Sequence, residues 1–211
     1  MPGVFASQGF AEFSTILILI LTVALAAVMT SRYFRKHSRP LLFWSMGMWA
    51  FAIGVLLEVV FAIGIYSNLL ISIYLFIAVV VVESLALGSM QLIKSNRLRD
   101  SYFIYSAAST ILLIYSLYAS PIGNIIESHI VFGVLPLFIV IASSIVTFPA
   151  AAILIAIAAI SYAHKRSYKM LSIIAGVIVV SIAGTLYIAA MPAFLYYSEF
   201  IGILLLWIGF I

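Results

Sequence analysis

Seven long apolar segments, separated by short polar connections, take up most of this chain of 211 residues. An α-helix rises 1.5 Å per residue, so about 20 apolar residues span the ~30 Å hydrocarbon core of a bilayer. The segments are residues 12–31, 41–63, 69–93, 102–119, 130–162, 168–190 and 194–211. The sequence therefore predicts an all-α integral membrane bundle of seven transmembrane helices, which forms one domain over residues 1–211.

The balance of charged and apolar residues supports this class. Charged residues make up 8% of the chain and hydrophobic residues 66%, whereas a soluble domain carries roughly a quarter charged residues. Lipid must therefore cover most of the surface, and we expect a multi-pass protein of the cell membrane. We expect membrane lipid as a partner, with other membrane protein subunits as an open alternative, and no nucleic acid, because the net charge of +4 belongs to the connections.

The positions of the basic residues predict how the chain crosses the membrane. All ten lie in the first, third and fifth connections or at their edges: Arg32, Arg35, Lys36, Arg39, Lys94, Arg97, Arg99, Lys165, Arg166 and Lys169. Alternate connections lie on the same side if each segment crosses once. Since basic connections stay in the cytoplasm, we expect the amino terminus outside and the carboxyl terminus inside.

The fifth segment is too long for a single upright crossing and contains Pro136 and Pro149. Splitting it near Pro149 would place the third group of basic residues on the opposite side from the other two. We therefore predict one helix over its later part, with residues 129–136 tilted or lying in the outer leaflet. Proline at position 149 leaves the carbonyl of Ile145 without its helical N–H donor, which predicts a hinge.

Three carboxyl groups lie inside the apolar segments, on Glu58, Glu83 and Glu199. A charge in the bilayer core costs at least ~2.5–3.5 kcal/mol on insertion scales, so such residues face the interior of a bundle and are candidates for function. Glu58 and Glu199 both lie near the outer ends of their segments, and we expect them to share one outer-leaflet site. Glu83 lies deeper.

Glycines accompany these glutamates. Gly47 and Gly54 precede Glu58 by eleven and four residues, which places all three on one side of a helix with 3.6 residues per turn. Glycine on such a face lets two membrane helices approach closely. The glycines that we predict to contact neighbouring helices are Gly47, Gly54, Gly88, Gly202 and Gly209.

The glutamates have two interpretations. In one, Glu58, Glu83 and Glu199 form a proton or cation path. In the other, they are protonated carboxyl groups that hydrogen-bond between helices and contribute only to stability. The sequence does not choose between them.

The residues that specific chemistries require are missing from the expected places. A retinal-binding bundle needs a lysine in its last helix, and the last segment has none. Haem and zinc sites need clustered histidines, but His37, His129 and His164 lie at or near segment ends, and the chain has no cysteine. We predict no catalytic set, no metal site, no cofactor and no enzymatic activity. The predicted function is a non-enzymatic integral subunit or scaffold of a membrane assembly. The alternative is a small proton- or cation-coupled transporter or channel that uses the glutamates.

Overall fold

The computed structural model describes residues 8–65, 67–122, 126–127, 130–131, 135–166, 168–169, 171–176, 178–179 and 192–210. The protein is all-α, as the sequence predicts. Its helices are α1 Gln8–Lys36, α2 Arg39–Ala62, α3 Asn68–Met90, α4 Asn96–Ala119, α5 Leu137–Lys165 and α7 Pro192–Phe210. Between α5 and α7 lies α6, which is described as helix at residues 168–169, 171–176 and 178–179.

Five of these helices are long and apolar enough to cross a bilayer. The apolar spans are Phe13–Lys36, Arg39–Ala62, Asn68–Met90, Asn96–Ala119 and Leu137–His164, and α7 contributes a shorter apolar stretch, Tyr197–Phe210. The chain is therefore a membrane protein. Part of the sixth predicted segment, residues 180–190, lies outside the described residues.

Local sequence signals explain where the helices begin. Pro40 lies in the first turn of α2, where the missing N–H removes no helical hydrogen bond. Ser67 and Ser95 precede α3 and α4, and their hydroxyl oxygens accept the backbone N–H groups of Leu70 and Leu98 at 3.3 and 3.4 Å. These side chains satisfy N–H groups that have no partner within the helix. The starts of α3 and α4 therefore follow from local sequence signals.

The fifth segment differs from the prediction at its start. Residues 126–127 and 130–131 form two short antiparallel strands, β1 and β2, with Ile126 paired to Val131. The helix begins only at Leu137, after Pro136, so the segment's predicted start at residue 130 is wrong, whereas the prediction of one helix over its later part is confirmed. The physical reason is Pro136 itself, which disfavours helical geometry in the residue before it and so places a helix start at the proline.

The packing of the bundle is organised by α3, which contacts α2, α4 and α5, while α1 packs against α2 and α7. Tryptophan N–H groups join the helices. Trp49 donates to the hydroxyl of Thr30 at 3.0 Å, and Trp207 donates to the carbonyl oxygen of Leu21 at 3.0 Å. These bonds cross from α2 and α7 to α1, so they fix the rotation of the helices about their axes.

Contacts at one end of the bundle show which helix ends lie together. Arg32 at the end of α1 donates from Nη1 to the carbonyl oxygen of Phe210 at 2.6 Å. The ring of Phe210 lies 5.1 Å from that of Trp44 on α2, and the Trp44 N–H donates to the carbonyl oxygen of Leu85 on α3 at 3.2 Å. The last turns of α1, α3 and α7 therefore lie beside the first turn of α2. We call this the basic end, because the clusters 32–39 and 94–99 lie there.

Candidate functional site: a buried pair of glutamates

Two of the three glutamates meet inside the bundle. Glu58 is carried by α2 and Glu199 by α7, and their side chains are 3% and 8% exposed. The two carboxyl groups lie within hydrogen-bonding range of each other. Helices that are far apart in sequence therefore bring together two acids that each cost free energy to bury. We call these two residues the glutamate pair.

A third helix contributes a hydrogen bond to the glutamate pair. The hydroxyl of Tyr74, on α3, donates to Oε1 of Glu58 at 2.7 Å. The ring of Tyr74 also lies edge-on against Phe61, with ring centres 5.7 Å apart. Since Phe61 is fully buried one turn after Glu58 on α2, this contact holds the tyrosine in place. The pair is thus built from α2, α3 and α7.

One oxygen of each carboxyl group remains without a donor. The Oε2 atoms of Glu58 and Glu199 are buried and have no hydrogen-bond partner among the described residues. Both carboxylates are acceptors when ionised, so their mutual contact becomes a hydrogen bond only if one group carries a proton. A buried charge without a partner is costly. When ionised, the two carboxyl groups therefore lack a donor that would satisfy their Oε2 atoms within the described part of the protein.

Glu83 lies in a different environment. It is 5% exposed, and both of its oxygens have donors from α4: the hydroxyl of Ser106 donates to Oε1 at 2.6 Å, and that of Thr110 donates to Oε2 at 2.8 Å. Among the described residues, these contacts join Glu83 to α4 and not to Glu58 or Glu199. The structure brings together two of the three predicted site residues and places the third elsewhere.

The predicted glycine contacts differ in tightness. A Cβ atom added at Gly47 would lie 3.2 Å from side-chain atoms of Ser84 and Leu85 on α3, and one added at Gly54 would lie 3.6 Å from Ile77. At Gly88 it would overlap the indole ring of Trp44, and at Gly209 it would overlap the side chain of Ile173.

The tight contacts thus occur at Gly47, Gly88 and Gly209, while Gly54 has room for a methyl group. Gly202 is buried. Gly176 was not predicted, although an added Cβ atom there would lie 3.3 Å from Leu205 and Leu206 on α7.

The hinge candidate, Pro149, lies inside α5 as the sequence predicts. The carbonyl oxygen of Ile145, which loses its helical donor to this proline, accepts a hydrogen bond from the hydroxyl of Tyr105 on α4 at 2.5 Å. The free acceptor is therefore used to attach α4 to α5. Whether Pro149 acts as a hinge stays a prediction.

Sequence reasoning missed four hydroxyl residues that hydrogen-bond to these sites, namely Tyr74, Tyr105, Ser106 and Thr110. A signal exists for two of them. Ser106 and Thr110 are four residues apart, which places both hydroxyls on one face of α4. The tyrosines carry no such signal, because Tyr is common in membrane helices near the interface.

Comparison with known protein families, with characterised proteins and with solved structures finds no match for this chain. Within the described part of the chain, no three His, Asp or Glu side chains lie close enough together to hold a metal ion. The glutamate pair is therefore the main candidate for a functional site.

Proposed function

We propose that the protein is a small proton- or cation-coupled transporter or channel, and that the glutamate pair holds the transported proton or cation. The observation that carries this proposal is the contact between two buried carboxyl groups, each with an oxygen that lacks a donor among the described residues. Intramembrane acids that pair with one another are typical of proton relays and ion pathways.

A proton needs fewer additional ligands at the glutamate pair than a metal cation does. One proton between the carboxyl groups supplies a donor where neither carboxylate has one. A hard cation such as Na⁺ or Ca²⁺ prefers several oxygen ligands, and the described site offers the oxygens of Glu58, Glu199 and Tyr74. We therefore propose the proton as the first candidate and a cation as the second.

The pair also supplies a way to couple occupancy to helix movement. With a proton or cation present, Glu58 and Glu199 attract each other and hold α2 against α7. Without it, two negative charges in a medium of low dielectric constant repel each other by several kcal/mol at an effective constant of about 20. Occupancy would therefore decide whether α2 and α7 stay in contact, and coupled transport requires two such states.

The test is ion flux into sealed vesicles that contain the purified protein and a pH-sensitive dye. We expect proton uptake when a membrane potential, negative inside, is imposed, and we expect uptake to fall to the level of empty vesicles in Glu58→Gln and Glu199→Gln. Glutamine keeps the shape of the side chain and removes the titratable group. The matched control is Glu83→Gln, which changes an equally buried glutamate outside the pair and should retain flux.

Cation transport is tested in the same vesicles by adding Na⁺, K⁺ or Ca²⁺ in turn and recording uptake of each ion. If neither protons nor these ions move through the wild-type protein, or if Glu83→Gln abolishes flux as strongly as Glu58→Gln, the glutamate pair does not have the proposed role.

A second candidate function is a non-enzymatic integral subunit or scaffold of a membrane assembly. The observation that favours it is Glu83, since its bonds to Ser106 and Thr110 are those of a buried acid that joins two helices. If Glu58 and Glu199 serve the same purpose, glutamine at either position should be nearly silent, because its amide both donates and accepts hydrogen bonds. Neither candidate involves a catalytic step.

We further propose that the protein lies in the cell membrane with its basic end in the cytoplasm, its amino terminus outside and its carboxyl terminus inside. The confinement of all Lys and Arg to three alternating connections supports this orientation. Because the chain has no cysteine, single cysteines can report it. In intact cells, Lys94→Cys should resist a membrane-impermeant thiol reagent and Ser120→Cys should react. The reverse pattern would contradict the orientation.

A further inference from the structure

A cavity of about 310 Å³ opens at the basic end, between the first turn of α2, the end of α3 and the first turns of α4. It is separate from the glutamate pair, since Glu58 lies in the last two turns of α2 and the cavity touches the first turns. Nothing in the proposed transport function uses it.

The polar wall supplies hydrogen-bond donors and positive charge. It contains Arg39 at the start of α2, Gln91 at the end of α3 and Arg99 in α4. The side chain of Arg39 makes no hydrogen bond or ion pair with any described residue, and Arg99 uses one N–H group on Asn96, at 2.9 Å. A guanidinium group has five N–H donors. Both arginines therefore retain donors for an anion in the cavity.

The acid in this wall does not neutralise the arginines. Asp100 lines the cavity, but its side chain is 72% exposed and lies 3.9 Å from Nε of Arg99. Exposed ion pairs of this kind contribute little free energy. The cavity also lies beside the first turns of α2 and α4, where the helix dipole favours negative charge. The site is therefore suited to an anion.

The apolar wall distinguishes the cavity from a simple anion site. Phe43 on α2 and Phe103 on α4 line it, and Phe103 is 53% exposed. Both helices continue from this point as apolar spans. A ligand with a charged head and an apolar tail would therefore meet donors at one part of the cavity and aromatic rings where the lipid phase begins.

We propose that this cavity binds the headgroup of an anionic phospholipid. The phosphate lies between Arg39 and Arg99, with Gln91 as a further donor, and the start of the acyl chains lies along Phe43 and Phe103. Clustered arginines between transmembrane helices at a basic membrane face are suited to anionic headgroups, and arginine binds phosphate through paired donors in a fixed geometry.

The test is native mass spectrometry of the detergent-purified protein with phosphatidylglycerol, with phosphatidylcholine as the neutral lipid. We expect one phosphatidylglycerol to stay bound to the wild-type protein and phosphatidylcholine to be lost. Arg39→Gln and Arg99→Gln should each bind phosphatidylglycerol about tenfold more weakly, because each removes a charge-assisted hydrogen bond. The matched control is Lys94→Gln with Arg97→Gln, which removes two charges from the same end but none from the cavity.

The alternatives give different results. If the control variant loses phosphatidylglycerol as readily as Arg39→Gln, the attraction is general to the basic end and the site is refuted. Inorganic phosphate and acylated glycerol phosphates are compared as competitors of phosphatidylglycerol. If inorganic phosphate competes equally well, the ligand is a free phosphate and the lipid proposal fails. Should Arg99→Gln fail to fold because its bond to Asn96 is lost, Arg39→Gln alone decides the question, since its side chain has no described partner.

Discussion

Glu83 and the glutamate pair are buried to a similar degree, but their surroundings differ. Both oxygens of Glu83 accept hydrogen bonds from hydroxyl groups of one neighbouring helix. In the pair, one oxygen has Tyr74 as a donor, while the Oε2 atoms of both acids have none among the described residues. Both carboxyl oxygens of Glu83 therefore have hydrogen-bond donors within the protein. The pair lacks donors for its two Oε2 atoms in the described part of the chain.

The space around glycines near Glu83 and near Glu58 also differs. Gly88, five residues after Glu83 on α3, is covered by the indole ring of Trp44, and an added methyl group would overlap it. Gly54, four residues before Glu58 on α2, has its nearest described neighbour at 3.6 Å from an added Cβ atom. Helix α3 is thus tightly packed against α2 at Gly88, while the Glu83 carboxyl group is satisfied by α4. Near the pair, two buried acceptors lack described donors, and Gly54 has room for a methyl group.

Removing hydroxyl donors should give the largest difference in the free energy of unfolding between the two regions. In Ser106→Ala combined with Thr110→Val, Glu83 stays buried and loses both donors. We expect the free energy of unfolding to fall by about 2–3 kcal/mol, because a buried acceptor without its partners keeps its full desolvation cost. Tyr74→Phe removes one hydroxyl donor of Glu58 and should cost about 0.5–1.5 kcal/mol. Denaturant titration in mixed micelles measures both.

Ser109→Ala is the matched control for this experiment. The Ser109 hydroxyl lies in the same helix and is buried, but it donates to the carbonyl oxygen of Tyr105 within α4, at 2.9 Å. We expect a smaller loss than from the double variant. An equal loss would show that hydroxyl groups in α4 matter for the helix itself, and the contrast between Glu83 and the pair would weaken.

Adding one methyl group at a glycine should give a smaller difference in the same direction. Gly88→Ala forces the indole ring of Trp44 to move, and we expect it to lower stability by about 1–2 kcal/mol, the lower part of the range for overpacked cores. Gly54→Ala meets ordinary contact distances and should change stability by less than about 0.5 kcal/mol. Thermal unfolding followed by circular dichroism ranks the two variants.

The same pair of variants contains its own control, since both replace glycine by alanine inside a membrane helix. If Gly54→Ala proves as destabilising as Gly88→Ala, then α2 is packed near Glu58 as tightly as α3 is near Trp44. The glutamate pair would then lack the room that a change of contact between α2 and α7 requires.

The membrane class and most helix positions are determined by the sequence. Runs of about 20 apolar residues and the exclusion of Lys and Arg from them are local properties, since a helix satisfies its backbone hydrogen bonds within itself and needs no partner to span lipid. Helices α2 to α4 therefore begin and end within a few residues of their predicted bounds, apart from the earlier start of α4 at Asn96. The start of α5 was missed although its signal is local, since Pro136 disfavours helical geometry in the residue before it.

The sequence also predicted that Glu58, Glu83 and Glu199 are buried, because the cost of exposing an acid to lipid depends only on its place in an apolar run. Their depth near the outer ends of α2 and α7 also predicted that Glu58 and Glu199 share a site, but the sequence did not predict which side chains surround that site or Glu83. These helices are apolar on nearly every side, so their pattern does not define a face that turns toward a particular neighbour. Only the tertiary structure sets the rotation of each helix, and that rotation places Glu199 against Glu58 while Ser106 and Thr110 contact Glu83.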